Sequence, residues 1–243
     1  MQNGSSVLDA RNQDVATVDF RIFAQSKNRE LLNMRNPNGF FRKSMVTFLQ
    51  SCPGASLGND MRQAEGKPYY EYHPTLLPQS AMKQRVHCLW NKNIIDMPLP
   101  PEFKTYDRQQ PSYETSNPVD LSSFGPTERA PLGSIVLGRS GDKCSDANVG
   151  FFVRNDDEWD WLRSVLTIEK IKELLGPEEA AKAHSFDRFE IPNSKAVHFM
   201  LHDHLDRGYD ACSTYDTLGK NVCEYLRAKT LEVPKVFLER GWV

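Results

Sequence analysis

The sequence predicts an α/β chain, with α+β as the alternative. The expected architecture is a small mixed sheet with helices packed on one face, preceded by a partial α/β segment and a proline-rich arm. Strand-like and helix-like hydrophobic patterns alternate after residue 132, which predicts the sheet and its helices. Seven of the fifteen prolines fall within residues 97–131, where hydrophobic periodicity is lost, and this predicts the arm.

Four parts follow from these patterns. Residues 1–15 are polar and are expected to be disordered. Residues 16–96 are expected to form the partial α/β segment, residues 97–131 a linker or an arm lying on a partner surface, and residues 132–243 the C-terminal domain. A chain of 243 residues is long enough for one large or two small domains.

The partial α/β segment contains two kinds of hydrophobic pattern. Residues 18–23 alternate apolar and polar side chains, as a half-buried strand does. In residues 40–49 apolar side chains recur at helical spacing, and Cys52-Pro53-Gly54 would end that helix. Two more strands are expected, at residues 69–72 and 85–90.

The C-terminal domain has the clearest pattern of elements. Apolar runs predict four strands, at residues 133–137, 149–153, 186–191 and 196–201. Helical spacing predicts four helices, at residues 159–166, 168–175, 178–184 and 219–229. Asp156 or Asp157 is expected to cap the first helix and Thr167 the second, and Gly176-Pro177 to separate the second from the third.

Composition and charge exclude several classes of protein. The formal net charge of -2 gives no electrostatic basis for nucleic-acid binding. No run of about 18 apolar residues is present, so no membrane association is expected. The polar N-terminus lacks the apolar region of a signal peptide. The five cysteines are odd in number and none has a C-x-x-C spacing, so the simplest interpretation is a reduced, cytoplasmic protein.

The polar stretch of residues 138–150 is the first candidate site. It follows one apolar run and leads into the next, and we expect a loop there at the edge of the sheet, where α/β folds bind ligands. Arg139 and Lys143 would hold a carboxylate or phosphate, and Asp142 or Asp146 would act as base or orient a hydroxyl. The alternative is a turn that satisfies its own hydrogen bonds, in which Arg139 pairs with Asp142. The spacing of glycine and lysine excludes a Walker motif.

A cluster of histidine and aspartate follows the last predicted strand. His202 beside Asp203 is a candidate general acid–base pair. His202, His204 and Asp206 would form a metal site if the strand continued, but a surface turn has the same composition. No cysteine–histidine set has the spacing of a structural zinc site, and neither a metal nor a cofactor is predicted. His198 lies in an apolar strand and is expected to face the core or a partner.

Two motifs resemble a known family. Residues 138–150 read G-R-S-G-D-K-C-S-D-A-N-V-G and are similar to the motif A-R-S-G-D-K-G-N-D-A-N-I-G of the acyclic terpene utilisation (AtuA-like) family. Residues 199–203, F-M-L-H-D, followed by D-T-L-G-K at 216–220, resemble its F-V-L-H-D and D-x-x-G-K. The chain departs from the family motif at Cys144 and Ser145, where the family has Gly-Asn.

The resemblance covers residues 132–235 well and residues 15–95 more weakly. Residues 18–20, 52–54 and 58–59 are similar to the end of the family's larger N-terminal domain, and residues 69–79 resemble its fungal branch. We therefore expect a fungal-type member that is truncated relative to the family and lacks most of that N-terminal domain.

The resemblance also implies a function. It implies an enzyme or enzyme component, a lyase or hydro-lyase acting on a branched carboxylic acid or its CoA thioester, in terpene or branched-acid catabolism or in fungal secondary metabolism. The alternative is a non-catalytic accessory or binding subunit that completes a partner with the missing N-terminal domain. The expected partners are a small anionic substrate and either a second copy of the chain or a partner chain with that domain.

The candidate residues would form one site if the two polar stretches leave neighbouring strands that run in the same direction, because both ends then open on one edge of the sheet. The proposed catalytic residues are Asp142, His202 and Asp203. The proposed substrate-binding residues are Arg139, Ser140, Lys143, Asp146, Asn148, Asp216 and Lys220.

Overall fold

The structure is a computed structural model. The chain divides into two compact units, Met1–Tyr69 and Tyr70–Val243. The structure describes residues 2–3, 10–46, 48–51, 62, 64–71, 73, 75–107 and 110–240. No helix among these residues is long and apolar enough to cross a membrane.

The first unit is built from short elements. Its helices and strands are β1 (Gln2–Asn3), α1 (Gln13–Ala16), β2 (Asp19–Phe20), α2 (Phe40–Val46) and α3 (Phe48–Ser51). The helical pattern predicted over residues 40–49 is confirmed by α2 and α3. The strand predicted over residues 18–23 is only two residues long, because only these two pair with another described strand, β1. The predicted helix stop at Cys52-Pro53-Gly54 lies outside the described residues.

The second unit contains most of the regular structure. Its elements are β3 (Gln84–Cys88), β4 (Asn93–Met97), β5 (Thr127–Pro131), β6 (Leu137–Lys143), β7 (Asp146–Phe152), α4 (Asp156–Val165), α5 (Ile168–Leu175), α6 (Pro177–Ala180), β8 (Phe186–Ile191), β9 (Ala196–Leu201), α7 (Val222–Arg227), β10 (Thr230–Pro234) and α8 (Lys235–Arg240). The predicted α/β combination of helices and strands is confirmed. β4, β5, β10 and α8 were not predicted. The strand predicted at residues 133–137 is wrong, because a 3-10 turn lies at Leu132–Ser134 and β6 begins only at Leu137.

Four strands form the central sheet, in the order β6-β7-β9-β8. All three ladders are antiparallel, whereas a mixed sheet was expected. The reason is the connections: β6–β7 and β8–β9 are hairpins, and the connection through α4, α5 and α6 enters the sheet at its far edge. β8 is therefore separated from β7, the strand it runs parallel to, by β9.

The predicted polar loop is in fact a β-hairpin. The pairing runs from Leu137 opposite Phe152 to Lys143 opposite Asp146, which leaves a two-residue turn at Cys144-Ser145. Cys144 has a φ of 58°, the left-handed conformation that tight hairpin turns require. Polar side chains do not prevent a strand here, because alternate residues point to opposite faces of the sheet and one of these faces is incompletely covered.

The main core lies between the sheet and the helices. On the helix-covered face the six apolar residues of the two central strands are completely buried: Ala147, Val149, Phe151, Val197, Phe199 and Leu201. They belong to one cluster with Trp161 and Leu162 of α4, Ile171 of α5 and Leu226 of α7. A Cβ on Gly138 would lie 2.6 Å from Cys223 Sγ, so this glycine allows α7 to approach β6 closely.

The helix boundaries follow local capping chemistry. Thr167 caps α5 as predicted, its side chain accepting a hydrogen bond from the Lys170 N–H. Gly176, with a φ of 80°, ends α5, and Pro177 begins α6. The cap of α4 is Asn155, rather than Asp156 or Asp157 as expected. The strand expected at residues 69–72 is absent from residues 69–71, and Tyr72 lies outside the described residues.

Part of the proline-rich arm lies on this chain's own domain. Tyr113 N donates to Arg188 O at 3.1 Å, and Thr115 Oγ1 donates to Arg163 O at 2.7 Å. Further along, β5 pairs with β10 in an antiparallel ladder. The other two-stranded sheet of the second unit, β3–β4, pairs with no further strand among the described residues.

Candidate functional site

The tip of the β6–β7 hairpin is tied to the end of β9. The Asp146 carboxylate accepts the backbone N–H of Asp203 at 2.9 Å and contacts His202 Nδ1 at 3.2 Å. Ser145 Oγ donates to the Asp203 carboxylate at 2.8 Å, and the Leu205 N–H donates to Ser145 O at 2.8 Å. Because β7 begins where the antiparallel β9 ends, the two polar stretches predicted from the sequence do meet.

His202 lies between two carboxylates. Its Nε2 is 2.8 Å from Asp187 Oδ2 on β8, and its Nδ1 faces Asp146. The hydrogen bond to Asp187 raises the pKa of His202, and the Asp146 carboxylate raises it further, against the opposing effect of burial. Both ring nitrogens are occupied, so this arrangement stabilises an imidazolium that joins β7, β8 and β9.

The Asp216–Lys220 motif forms a turn that packs on the edge strand β6. The Asp216 carboxylate accepts the backbone N–H groups of Lys220 at 2.9 Å and Asn221 at 2.8 Å. Gly219 has a φ of 61°, and a Cβ there would meet Gly141 O at 3.3 Å. Asp216 therefore shapes the turn, and its two carboxylate oxygens are already engaged.

Ser140 anchors the same turn from the helix-covered face. Its hydroxyl donates to Lys220 O at 3.2 Å and accepts the Cys223 N–H at 3.0 Å, and the residue is 5% exposed. Asp142 shares this face of β6, because residues two apart along a strand point the same way. Arg139 and Lys143 point to the opposite face, so the structure does not place Asp142 beside Arg139.

That opposite face, which we call the polar face, is incompletely covered. It includes Arg139, Gly141 and Lys143 of β6, Asp146, Asn148 and Gly150 of β7, His198 and Met200 of β9, and Asp187 of β8. None of these residues on β7 or β9 is fully buried. No described residue forms a hydrogen bond or ion pair with the Arg139 guanidinium, whereas Asn148 Nδ2 donates to Gly141 O at 2.9 Å.

Gly150 leaves space on the polar face. Arg139 is opposite Gly150, which is in turn opposite His198. The spacing of adjacent strands places the Cα atoms of Arg139 and His198 about 10 Å apart, and Gly150 between them has no side chain. A Cβ on Gly150 would meet His198 Nδ1 at 3.4 Å, so the imidazole leans over this glycine.

His198 was expected to face the core or a partner, and the structure places it on the polar face. Burial lowers the pKa of His198, and the nearby Lys143 ammonium lowers it further. The imidazole is consequently neutral at pH 7 and available to accept a proton. The only sequence signal for this position was the alternation along β9, which gives the face but not its surroundings.

Lys220 reaches the same face from the turn beside β6. A Cβ on Gly141 would lie 3.0 Å from Lys220 Nζ and 3.9 Å from Asn148 Nδ2. The polar face thus unites Arg139, Lys143 and Lys220 with Asn148. Asp146, His202 and Asp203 form the network at the hairpin tip, at one end of this face. Among the described residues, no group of three or more histidine, cysteine or carboxylate side chains is arranged to hold a metal ion.

Comparison with protein families identifies two matching regions. Residues 1–88 match the model of the acyclic terpene utilisation family protein AtuA, and residues 130–232 match the AtuA ferredoxin-like domain. The chain belongs to the AtuA family. The region that matches the AtuA ferredoxin-like domain contains the central sheet and the motifs that form the hairpin tip and the Asp216–Lys220 turn. No curated protein and no solved structure matches the chain.

Proposed function

We propose that this AtuA-family chain is a lyase or hydro-lyase, or a component of one, acting on a branched carboxylic acid or its CoA thioester. The observation that supports this most strongly is the gap above Gly150. An unpaired guanidinium, Arg139, lies on one side of the gap and a neutral imidazole, His198, on the other. An anion held by Arg139 would place the rest of the substrate across the glycine, beside a base.

The proposed chemistry is removal of water from a 3-hydroxyacyl group. His198 takes the proton from the carbon next to the carbonyl, and the hydroxyl on the following carbon leaves. The imidazolium returns the proton to the departing hydroxyl, so the products are an unsaturated acyl group and water, with His198 neutral again. Cationic groups on this face would stabilise the negative charge that develops on the carbonyl oxygen.

Apolar residues next to the gap suit a branched hydrocarbon chain. Phe152 and Ala196 are paired at the end of the ladder one row beyond Gly150 and His198, on the same face. Phe152 and Ile191 are partly exposed there, at 39% and 46%. A substrate whose acyl group lies above Gly150 beside His198 would cover them with its branched chain, and removal of that apolar surface from water favours binding.

The proposal is tested with the full chain and a panel of branched 3-hydroxyacyl and enoyl thioesters together with the free acids. Formation or loss of the conjugated double bond is followed by absorbance. We expect turnover by the wild type, a loss of about 100-fold or more in kcat for His198→Gln, and no change for the exposed hairpin variant His87→Gln. Absence of turnover across the panel, or equal turnover by His198→Gln, contradicts the proposal.

The alternative is a non-catalytic accessory or binding subunit, and the β3–β4 hairpin favours it. Leu89 and Trp90 at its tip are 88% and 83% exposed, and Ile94 and Ile95 of β4 are also exposed. Such apolar groups are typical of surfaces that contact another protein. A chain that is inactive alone and becomes part of a defined complex with an AtuA N-terminal domain supplied on another polypeptide would support this function instead.

A further inference from the structure

Lys220 reaches the polar face through the space that Gly141 leaves open. β6 is the edge strand of the sheet, and Lys220 belongs to the turn that packs beside this edge. The ammonium occupies the space where a Cβ of residue 141 would point, since the separation would be 3.0 Å. Gly141 is thus a notch through which Lys220 adds its charge to the same face as Arg139.

The notch places more positive charge on this face than a single carboxylate requires. Arg139 and Lys220 have no hydrogen-bond or ion-pair partner for their charged groups among the described residues, and Lys143 Nζ bonds only the neighbouring Asp142 carbonyl. The acids of this face, Asp146 and Asp187, are already bound to His202. One imidazolium neutralises only one of these two carboxylates, and Asp146 lies directly opposite Lys143 in the ladder, so Arg139 and Lys220 are the cations that remain without a counter-charge among the described residues.

We infer that the polar face binds the phosphate groups of its substrate, which makes the substrate a CoA thioester and not the free acid. The inference rests on the proposed function and specifies its substrate class. A phosphate group offers up to two negative charges and several acceptor oxygens, and it matches paired Arg and Lys side chains better than a lone carboxylate does. The Asn148 amide, next to the notch, adds a neutral polar group.

Calorimetric titration tests the inference on the full chain, with inorganic pyrophosphate, CoA and the branched monoanion 3-methylbut-2-enoate as probes. We expect pyrophosphate to bind at least about tenfold more tightly than the carboxylate, because electrostatic attraction scales with ligand charge. CoA should bind at least as tightly as pyrophosphate. Equal affinity for pyrophosphate and the carboxylate, or weaker binding of CoA than of pyrophosphate, overturns the inference.

The role of the notch is tested by a double-mutant cycle. Lys220→Met and Gly141→Ala should each weaken pyrophosphate binding about fivefold, the second by displacing the ammonium without removing any charge. In the Lys220→Met background, Gly141→Ala should add less than about twofold. Independent, multiplicative effects, or unchanged binding by Gly141→Ala, contradict the notch. Lys172→Met is the matched control, since Lys172 is paired with Glu169 on α5 and should leave binding unchanged.

Two further readouts separate the possible failures. The Cβ that Gly141→Ala adds contacts the flexible end of Lys220, so this variant is expected to fold. If it does not fold, the test is Lys220→Arg, which must restore the binding that Lys220→Met loses. If pyrophosphate and CoA bind but no thioester is turned over, the proposed reaction is wrong and the phosphate site stands. If free acids are turned over and pyrophosphate does not bind, only the phosphate site is wrong.

Discussion

His202 connects three strands through a charge that depends on pH. Its imidazolium lies between Asp146 and Asp187, and these contacts raise its pKa above the ordinary value of 6.5. A raised pKa means that the stabilisation is fully present below the unfolded-state pKa and is lost as the pH rises through the folded-state pKa. The hairpin tip is therefore held most firmly at mildly acidic to neutral pH.

For His202→Gln we expect a loss of stability that is larger at pH 6 than at pH 9. The measurement is the free energy of unfolding in urea for the wild type and the variant at both pH values. Glutamine keeps a hydrogen-bonding group but cannot become charged, so the difference isolates the imidazolium. A stability difference that is the same at both pH values would show that His202 acts only through neutral hydrogen bonds.

Replacement of Arg139 is expected to weaken ligand binding with little effect on the stability of the fold. It is exposed and has no hydrogen-bond or ion-pair partner among the described residues, so Arg139→Ala should change the free energy of unfolding by less than about 0.5 kcal/mol. Binding of an anionic ligand should weaken by about 1.5–3 kcal/mol, the scale of a hydrogen bond to a charged group.

The two effects of Arg139→Ala are measured by urea unfolding and by calorimetric titration of the same preparation. Arg85→Ala, on the β3–β4 hairpin, is a control for removal of an arginine elsewhere on the surface. If Arg139→Ala unfolds the domain, the arginine is a structural clasp and the ligand role is wrong.

At the scale of elements, β8 is joined to the arm through a completely buried arginine. Arg188 donates to Leu166 O at 2.8 Å and to Arg163 O at 2.7 Å, and it forms ion pairs with Glu114 and Glu190. Its side chain is 0% exposed. One side chain thus links the end of α4, the sheet and the segment that contains Glu114.

For Arg188→Met we expect a destabilisation of about 3 kcal/mol or more, since Glu190 loses its cation and the Leu166 and Tyr113 carbonyls lose their hydrogen-bond donor. The measurement is the free energy of unfolding, combined with limited proteolysis, in which cleavage near residues 110–120 should become faster. The exposed pair of Arg85 and Asp96 supplies the contrast, because Arg85→Ala should cost no more than about 1 kcal/mol. Similar costs for the two variants would contradict the structural role of Arg188.

At the scale of the whole molecule, the expected association with a second copy or a partner chain requires exposed apolar residues. Trp161 is 1% exposed and lies in the main core, whereas Trp159 is partly buried and packs against that core. Leu89 and Trp90, at the tip of the β3–β4 hairpin, are instead 88% and 83% exposed and offer an apolar surface to a neighbour.

Sedimentation velocity of the full chain should show association, with a second copy or with an added AtuA N-terminal domain, and Leu89→Ser with Trp90→Ser should weaken it. The physical reason is that the two substitutions remove apolar surface that association would bury. If the chain stays a compact monomer and does not bind the added domain at any concentration measured, the hairpin is not an interface.

Several elements were predictable because local chemistry determines them. β8 and β9 match the predicted strands residue for residue, since alternating side chains flank a short turn at Pro192-Asn193-Ser194. α5 begins at Thr167 and ends at Gly176, a side-chain cap and a glycine with positive φ. The meeting of the hairpin with His202 and Asp203 was expected as well, although from strands running in the same direction rather than antiparallel ones.

By itself the sequence determined the family, the polar motifs and the helices and strands whose signals are local. Only the tertiary structure decided which residues share a face: Asp142 and Ser140 lie toward the helices, and Arg139, Lys143 and His198 lie on the polar face. The register of the β6–β7 hairpin makes this choice, because a shift by one residue exchanges the faces of a strand. The contact of Lys220 with the space above Gly141 joins residues 79 positions apart, and no local pattern encodes it.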